Sequence, residues 1–197
     1  AEEKDFPENG YHGADIIDTA QRIIKKDGDK YLDMSEDERM GIFKELALKE
    51  KLAALKEDLE AFNCRFDVWY SERTLHPDKV QDACKFLQEN GNIYEKDGAL
   101  WLKSTAYGDD KDRVVIRDSG EPTYLAADIA YHRDKFARGF GKVINIWGAD
   151  HHGYICRVKA AVKALGYNPD DLDVLLLQMV RLLRGGELVK LSKRTGQ

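Results

Sequence analysis

Val143-Ile144-Asn145-Ile146-Trp147-Gly148-Ala149-Asp150-His151-His152-Gly153 is the stretch whose reading decides the fold. Its first five residues form a short, mainly apolar run of strand length, and Gly148 opens a polar turn. Beyond the turn, Ile155, Val158, Val162 and Leu165 recur at helical spacing, and Gly166 closes that helix. Val174 to Val180 is a second run that is nearly all apolar. Strand, helix and strand in that order, with apolar strands, predict parallel pairing with both faces buried. The expected class is α/β, half of a doubly wound sheet. Such sheets bind ligands beyond the carboxyl ends of their strands.

Upstream, a helix is predicted from Leu125 to about Arg138, and two hairpins before it. Ile93–Lys96 and Ala99–Leu102 flank Asp97-Gly98, a strong tight-turn signal. Arg113–Arg117 and Pro122–Tyr124 flank a turn at Asp118-Ser119-Gly120. Pro77 suits the first turn of a helix that buries Val80, Cys84 and Leu87 and ends at Gly91. Arg65–Tyr70 is short, aromatic and β-prone, so a strand is expected there. The first third reads as helical. Asp15–Lys26 carries Ile16, Ile17, Ala20, Ile23 and Ile24, and Met40–Phe62 carries Leu48, Leu52, Leu55, Leu59 and Phe62. These patterns divide the chain into a helical segment, residues 1–62, and an α/β part, residues 63–197. At the far end Gly185-Gly186 permits a tight hairpin turn.

The 197 residues suffice for one domain, or a domain with an appendage. A composition 43% hydrophobic and 34% charged reads as soluble and globular. No apolar run approaches the ~20 residues of a membrane helix, and no signal-peptide pattern stands at the start. Three widely spaced cysteines without a CxxC pair argue against a disulfide framework or zinc ribbon, and fit reduced thiols in the cytoplasm. A net charge of −5 argues against a dedicated nucleic-acid-binding domain, yet a few lysines suffice for one triphosphate. The first residue is Ala1 and the last is Gln197, just past a charged motif, so the chain reads as part of a longer protein.

Four constellations offer chemistry. In Gly148–Gly153, Gly148 allows a ligand to approach the backbone closely. Asp150 stands where an acid can bind ribose hydroxyls, and His151 and His152 can donate to ribose, phosphate or carboxylate. The rivals are a metal site of Asp150, His151 and His152, or an Asp N-cap with two histidines in a polar turn. The basic run Lys190-Leu191-Ser192-Lys193-Arg194 can neutralise a triphosphate, or be a basic surface tail. Tyr124 and Asp128 share a helix face one turn apart and can accept from a guanidinium, unless they are a surface Asp and a half-buried Tyr. Gln178-Met179-Val180 can meet an adenine edge, or be plain core strand.

Taken in order, Tyr-Leu-x-x-Asp, Trp-Gly-Ala-Asp-His-His-Gly, Gln-Met-Val and Lys-Leu-Ser-Lys-Arg resemble the second half of a class I aminoacyl-tRNA synthetase core. The last looks like the family's Lys-Met-Ser-Lys-Ser loop, with Leu191 and Arg194 departing from it. Tyr124–Asp128 and the run to His132, Phe6–Gly13 and Gly108–Arg113 are similar to bacterial arginyl-tRNA synthetases. The resemblance covers essentially the whole chain. It implies a Rossmann-like parallel sheet with a helical N-terminal insertion segment and β-hairpins. It implies that Tyr124 and Asp128 hold the guanidinium of L-arginine. Gly148, Asp150, His151 and His152 would line the ATP pocket, and Met179 and Val180 would meet the adenine. Lys190, Ser192 and Lys193 would hold the phosphates, with Lys190 and Lys193 catalytic. ATP with Mg²⁺ would be the substrate, with no prosthetic group and no protein metal site. The partner would be tRNA(Arg), and the parent a cytoplasmic monomer. The family's His-x-Gly-His motif is absent, since the only early histidine, His12, lies in Tyr11-His12-Gly13. The chain alone is therefore expected to be inactive. A stand-alone nucleotide-binding module and a metal-dependent hydrolase are the alternatives.

Overall fold

A computed structural model describes Gly10 and residues 13–189. The chain divides into two compact units. One comprises residues up to Val68 together with those from Arg181 onward, and the other is Trp69–Val180.

In the first unit, α1 (Ala14–Asp27) and α2 (Glu36–Ala61) meet the helical expectation, with α2 starting at Glu36 rather than Met40. The earlier start has a local cause. Ser35 accepts from the Glu38 amide while the Glu38 carboxylate accepts from the Ser35 amide, which is a complete capping box. Few apolar side chains are buried here. Thr19 and Tyr31 are, whereas Leu48, Leu52, Leu55 and Phe62 are exposed. Polar contacts join the two helices. Arg22 and Thr19 both reach Glu50, at 2.6 and 2.7 Å, and Lys51 pairs with Asp15 at 2.9 Å. The Arg22 and Thr19 hydrogen bonds hold the Glu50 carboxyl down at about 2. Near the other end of this unit, β6 (Leu183–Arg184) and β7 (Glu187–Leu188) form the expected hairpin, with Gly185 and Gly186 both at positive φ.

The strand expected over Arg65–Tyr70 is absent. The segment is irregular and largely exposed, with Phe66 53% and Val68 56% accessible. β propensity reports fit to a pleated, half-buried surface, and no neighbouring strand supplies one here.

The second unit holds the main core. In it, α3 (Asp78–Glu89), α4 (Tyr124–Ala137) and α5 (Ile155–Ala164) surround an antiparallel sheet of β1 (Ile93–Lys96), β2 (Ala99–Leu102) and β3 (Arg113–Ile116). Val80, Cys84 and Leu87 of α3 are buried with Leu102, Val115, Leu125 and Ile129 in one cluster. Burial pushes the Cys84 thiol up to about 11, so it is an inert core residue. Asp97 and Gly98 both take positive φ between β1 and β2, as their two-residue turn demands. The second expected hairpin shrinks to one bridge, Ile116 with Pro122. There β3 pairs with β2 instead, and Tyr124 already begins α4. The Gly108–Arg113 stretch closes on a buried ion pair, Arg113 Nε to Asp109 Oδ2 at 2.8 Å.

The deciding stretch becomes β4 (Val143–Gly148), which pairs in parallel with β5 (Leu172–Leu177). Val143 and Leu172 pack against Val158 and Val162 of α5. The opposite face differs from expectation. Ile144, Ile146, Leu175 and Leu177 are 51–63% exposed, so the pair is covered on one side only. Neither strand has a further parallel neighbour among the described residues. β5 also ends at Leu177, leaving Gln178, Met179 and Val180 outside any strand.

Candidate functional site

A cavity of about 630 Å³ opens in the second unit at the meeting of α4, the turn after β4, and the segment before α3. Each contributes side chains for a local reason. From α4, one helical turn separates Tyr124 and Asp128, so both face the cavity, and Tyr131 follows at the next turn. Trp147 comes from the end of β4. His151 and Tyr154 come from the six-residue 3₁₀ stretch that carries the chain from β4 into α5. Tyr70, Glu72 and Leu75 come from the irregular approach to α3.

Asp128 is the polar centre. It is half-buried, and Tyr154 donates its hydroxyl to Asp128 Oδ2 at 2.8 Å. Burial raises the Asp128 carboxyl above the usual carboxylate range and Glu72 adds to the rise, while Tyr154 and Lys135 work against it. Tyr154 is pushed well above an ordinary phenol, first by burial and then by the Asp128 charge, so it stays a donor.

The walls are aromatic. Tyr70 stacks on Tyr131 with centroids 4.6 Å apart, and Trp147 meets Tyr154 edge-on at 5.9 Å. Lys79 holds the Tyr70 oxygen at 3.2 Å and pairs with Asp134 at 2.6 Å, which fixes that ring from behind. The Arg157 guanidinium lies 4.6 Å from the Tyr154 centroid. A carboxylate deep in such a cavity, a second one beside it and several π faces favour an organic cation. Ring faces attract a cation by roughly 0.5–2 kcal/mol each, more as water is excluded.

The residues singled out in the sequence separate into groups. Tyr124, Asp128 and His151 line the cavity. Tyr124 remains 85% accessible. Asp150 and His152 are exposed and are not among the lining residues. Gly148 ends β4, and a Cβ there would meet Asp150 Oδ1 at 2.5 Å, a contact that Asp150 can relieve by rotating. The Asp150 cap is not formed: Gly148 occupies the N-cap position, with no side-chain capping bond. Nor do Asp150, His151 and His152 converge as a metal site would require. His151 Nε2 lies 3.7 Å from Asp150 Oδ2, and no group of three potential ligands gathers among the described residues. Met179 and Val180 are 85% and 89% exposed, which removes the core-strand reading for them. Lys190, Ser192, Lys193 and the rest of that loop lie outside the described residues, as does His12.

Sequence reasoning missed Tyr154, Tyr70, Glu72, Tyr131 and Trp147 as wall residues. One signal was available for Tyr154. It lies three residues beyond His151 in a helical turn, a spacing that returns a side chain to the same face. Tyr70 lies in a loop and Glu72 opens a single 3₁₀ turn, Glu72–Thr74, and neither carries such periodicity.

Comparison with known proteins adds a family. The profile for class I tRNA synthetases (R), catalytic domain, matches residues 14–197. An arginine–tRNA ligase from Carboxydothermus hydrogenoformans is 56% identical over 194 residues, covering 98% of this chain and 35% of that protein. One from Moorella thermoacetica is 55% identical over all of this chain and 35% of its own length. A crystal structure from Campylobacter jejuni assigned as an arginyl-tRNA synthetase superposes with a TM-score of 0.86 at 44% identity, over 95% of this chain and 41% of that one. The Thermus thermophilus arginyl-tRNA synthetase shares the fold at a TM-score of 0.60 and 20% identity, over 81% of this chain and 35% of that one. The chain thus spans about a third of the length of the curated relatives it matches, and it belongs to the class I arginyl-tRNA synthetase family, within the catalytic domain.

Proposed function

We propose that this chain supplies the arginine-recognising side of an arginine–tRNA ligase, which activates L-arginine with ATP and passes it to tRNA(Arg). The observation that carries the reading is Asp128, a partly desolvated carboxylate at the base of an aromatic cavity. A guanidinium there satisfies Asp128 with a forked pair of N–H donors, and lies against the Tyr154 and Tyr131 faces. Tyr124 covers it from the open side, and Glu72 provides the second negative charge.

The backbone turn at Gly148, with Asp150, His151 and His152, receives the ATP ribose and the adenylate. Met179 and Val180 meet the adenine. Lys190, Ser192 and Lys193 draw charge from the β- and γ-phosphates as the arginine carboxylate oxygen attacks the α-phosphorus. The bond to pyrophosphate breaks as the acyl phosphate bond forms, and the 3′-terminal hydroxyl of tRNA then displaces AMP. Mg²⁺ accompanies ATP. Among the described residues no group of three potential ligands gathers to hold the ion. The setting is the cytoplasm and the working unit a monomer.

The test uses the ligase that contains this chain. Asp128→Ala removes a charge-assisted partner of the guanidinium, a loss of about 2–4 kcal/mol. In ATP–pyrophosphate exchange the arginine KM is expected to rise by roughly 30- to 1,000-fold, with the ATP KM nearly unchanged. An unchanged arginine KM rejects the role.

A further inference from the structure

Behind the cavity wall lies a buried polar chain that makes no contact with the space itself. His132 and Asn145 are 3% and 5% exposed, one on α4 and the other on the covered face of β4 beside Val143. The donors and acceptors can be assigned without ambiguity. Lys135 Nζ can only donate, so the atom it meets at 3.0 Å is the Asn145 amide oxygen. The Asn145 NH₂ therefore faces His132 Nε2, at 2.8 Å, and Nε2 accepts. At the other side of the ring, His132 Nδ1 lies 2.7 Å from the Asp128 carbonyl oxygen, which can only accept, so Nδ1 carries the proton. The imidazole is neutral, in agreement with its burial.

Each end of this chain meets a residue that lines the cavity. One is the main chain of Asp128. The other is the Lys135 ammonium, 4.2 Å from the centroid of the Tyr131 ring. Its middle bond, from Asn145 to His132, crosses from α4 to β4, the strand that runs on to Trp147 and His151. Burying His132 and Asn145 here gains little stability over apolar side chains of the same volume. A fully satisfied network does fix one arrangement of the elements it joins.

We propose that the Asn145–His132 hydrogen bond is a positioning link, which holds Asp128 and Tyr131 of α4 at a set distance from Trp147 at the end of β4 and His151 just beyond it, and so shapes the cavity for the guanidinium. The inference rests on the arginine reading above. Neither His132 nor Asn145 touches substrate, so both act through Asp128 and the ring walls.

Two substitutions separate the link from simple burial. His132→Gln places an amide oxygen where Nε2 was and keeps the bond to Asn145. His132→Asn keeps a donor near Nδ1 for the Asp128 carbonyl but breaks the crossing bond. In the ligase, the first is expected to hold the arginine KM within about 2-fold, and the second to raise it about 10-fold, the scale of one lost hydrogen bond with its partner left buried. The ATP KM should stay nearly constant in both. Equal arginine KM values for the two variants overturn the proposal. Should His132→Asn not fold, Asn145→Leu replaces the link with an apolar group of similar size. A folded Asn145→Leu enzyme with raised arginine KM supports the link, and one with wild-type arginine KM overturns it. A third readout is independent of arginine. In ¹⁵N NMR of the 197-residue chain near pH 7, His132 should show a protonated Nδ1 and an unprotonated Nε2. The opposite tautomer removes the link even if Asp128→Ala behaves as expected, whereas failure of Asp128→Ala alone removes the arginine reading.

Discussion

At Asp128 burial and the neighbouring Glu72 carboxylate oppose ionisation, while the Tyr154 hydroxyl and the Lys135 ammonium favour it. A bound guanidinium would join the second group, so arginine binding favours the ionised form of Asp128. The Tyr154 hydroxyl is the nearest of these influences, 2.8 Å away. Tyr154→Phe removes it without changing ring packing. A hydrogen bond to a charged group is worth about 1.5–3 kcal/mol, so the arginine KM should rise by roughly 10- to 100-fold. An arginine KM within twofold of wild type would show that Tyr154 only fills space. Tyr124 and Asp128 were legible in the sequence, because the i, i+4 spacing of a helix start is local. Tyr70 and Glu72 were not, because they come from a loop and a single 3₁₀ turn more than fifty residues upstream, whose pattern gives no hint of where it docks.

Among the elements, the contrast between α2 and α3 shows what periodicity can and cannot tell. Both carry apolar residues at three- and four-residue intervals. In α3 the stripe is buried, with Leu87 inaccessible, whereas in α2 Leu55 is half exposed. Periodicity identifies a helix, but the partner that covers its stripe is a tertiary fact. Leu87→Ala is expected to cost about 2–5 kcal/mol and Leu55→Ala less than about 0.5, read by chemical denaturation of the chain. Equal losses would place Leu55 in a core. The Asp97-Gly98 and Gly185-Gly186 turns were readable because positive φ is a local demand that few residues meet. The strand expected at Arg65–Tyr70 failed for the converse reason, since a strand depends on a neighbour. Helix α4 also carries a pH signature. Burial holds the His132 imidazole down to about 4 from its ordinary value near 6.5. The unfolded chain binds this proton first, so stability supplied by neutral His132 is complete above pH 6.5 and is lost as pH falls towards 4. The loss approaches about 3 kcal/mol. His132→Gln should flatten the stability slope across that window, and an unaltered slope would mean that the imidazole is not buried neutral.

For the whole molecule, the open face of β4 and β5 marks the limit of local reading. The apolar strands predicted a sheet buried on both sides, yet Ile144, Ile146, Leu175 and Leu177 remain exposed. Periodicity gave the strands their type, and the parallel β4–β5 register is the one expected of a doubly wound sheet. The second covering layer is not supplied by the described residues. The relatives are nearly three times as long, so this chain spans about a third of each. The cavity, by contrast, is assembled within Trp69–Val180, so recognition of the side chain can be tested at this chain's own residues. In the proposed role, Asp128 reads the charge of a guanidinium. Citrulline replaces that group with a neutral urea of nearly the same shape. The decisive measurement is therefore the ratio of kcat/KM for arginine over citrulline, in the ligase and in its Asp128→Asn variant. The ratio is expected to collapse by at least about 100-fold in the variant, as loss of a buried charge pair implies. A variant that discriminates as well as the wild type would contradict it.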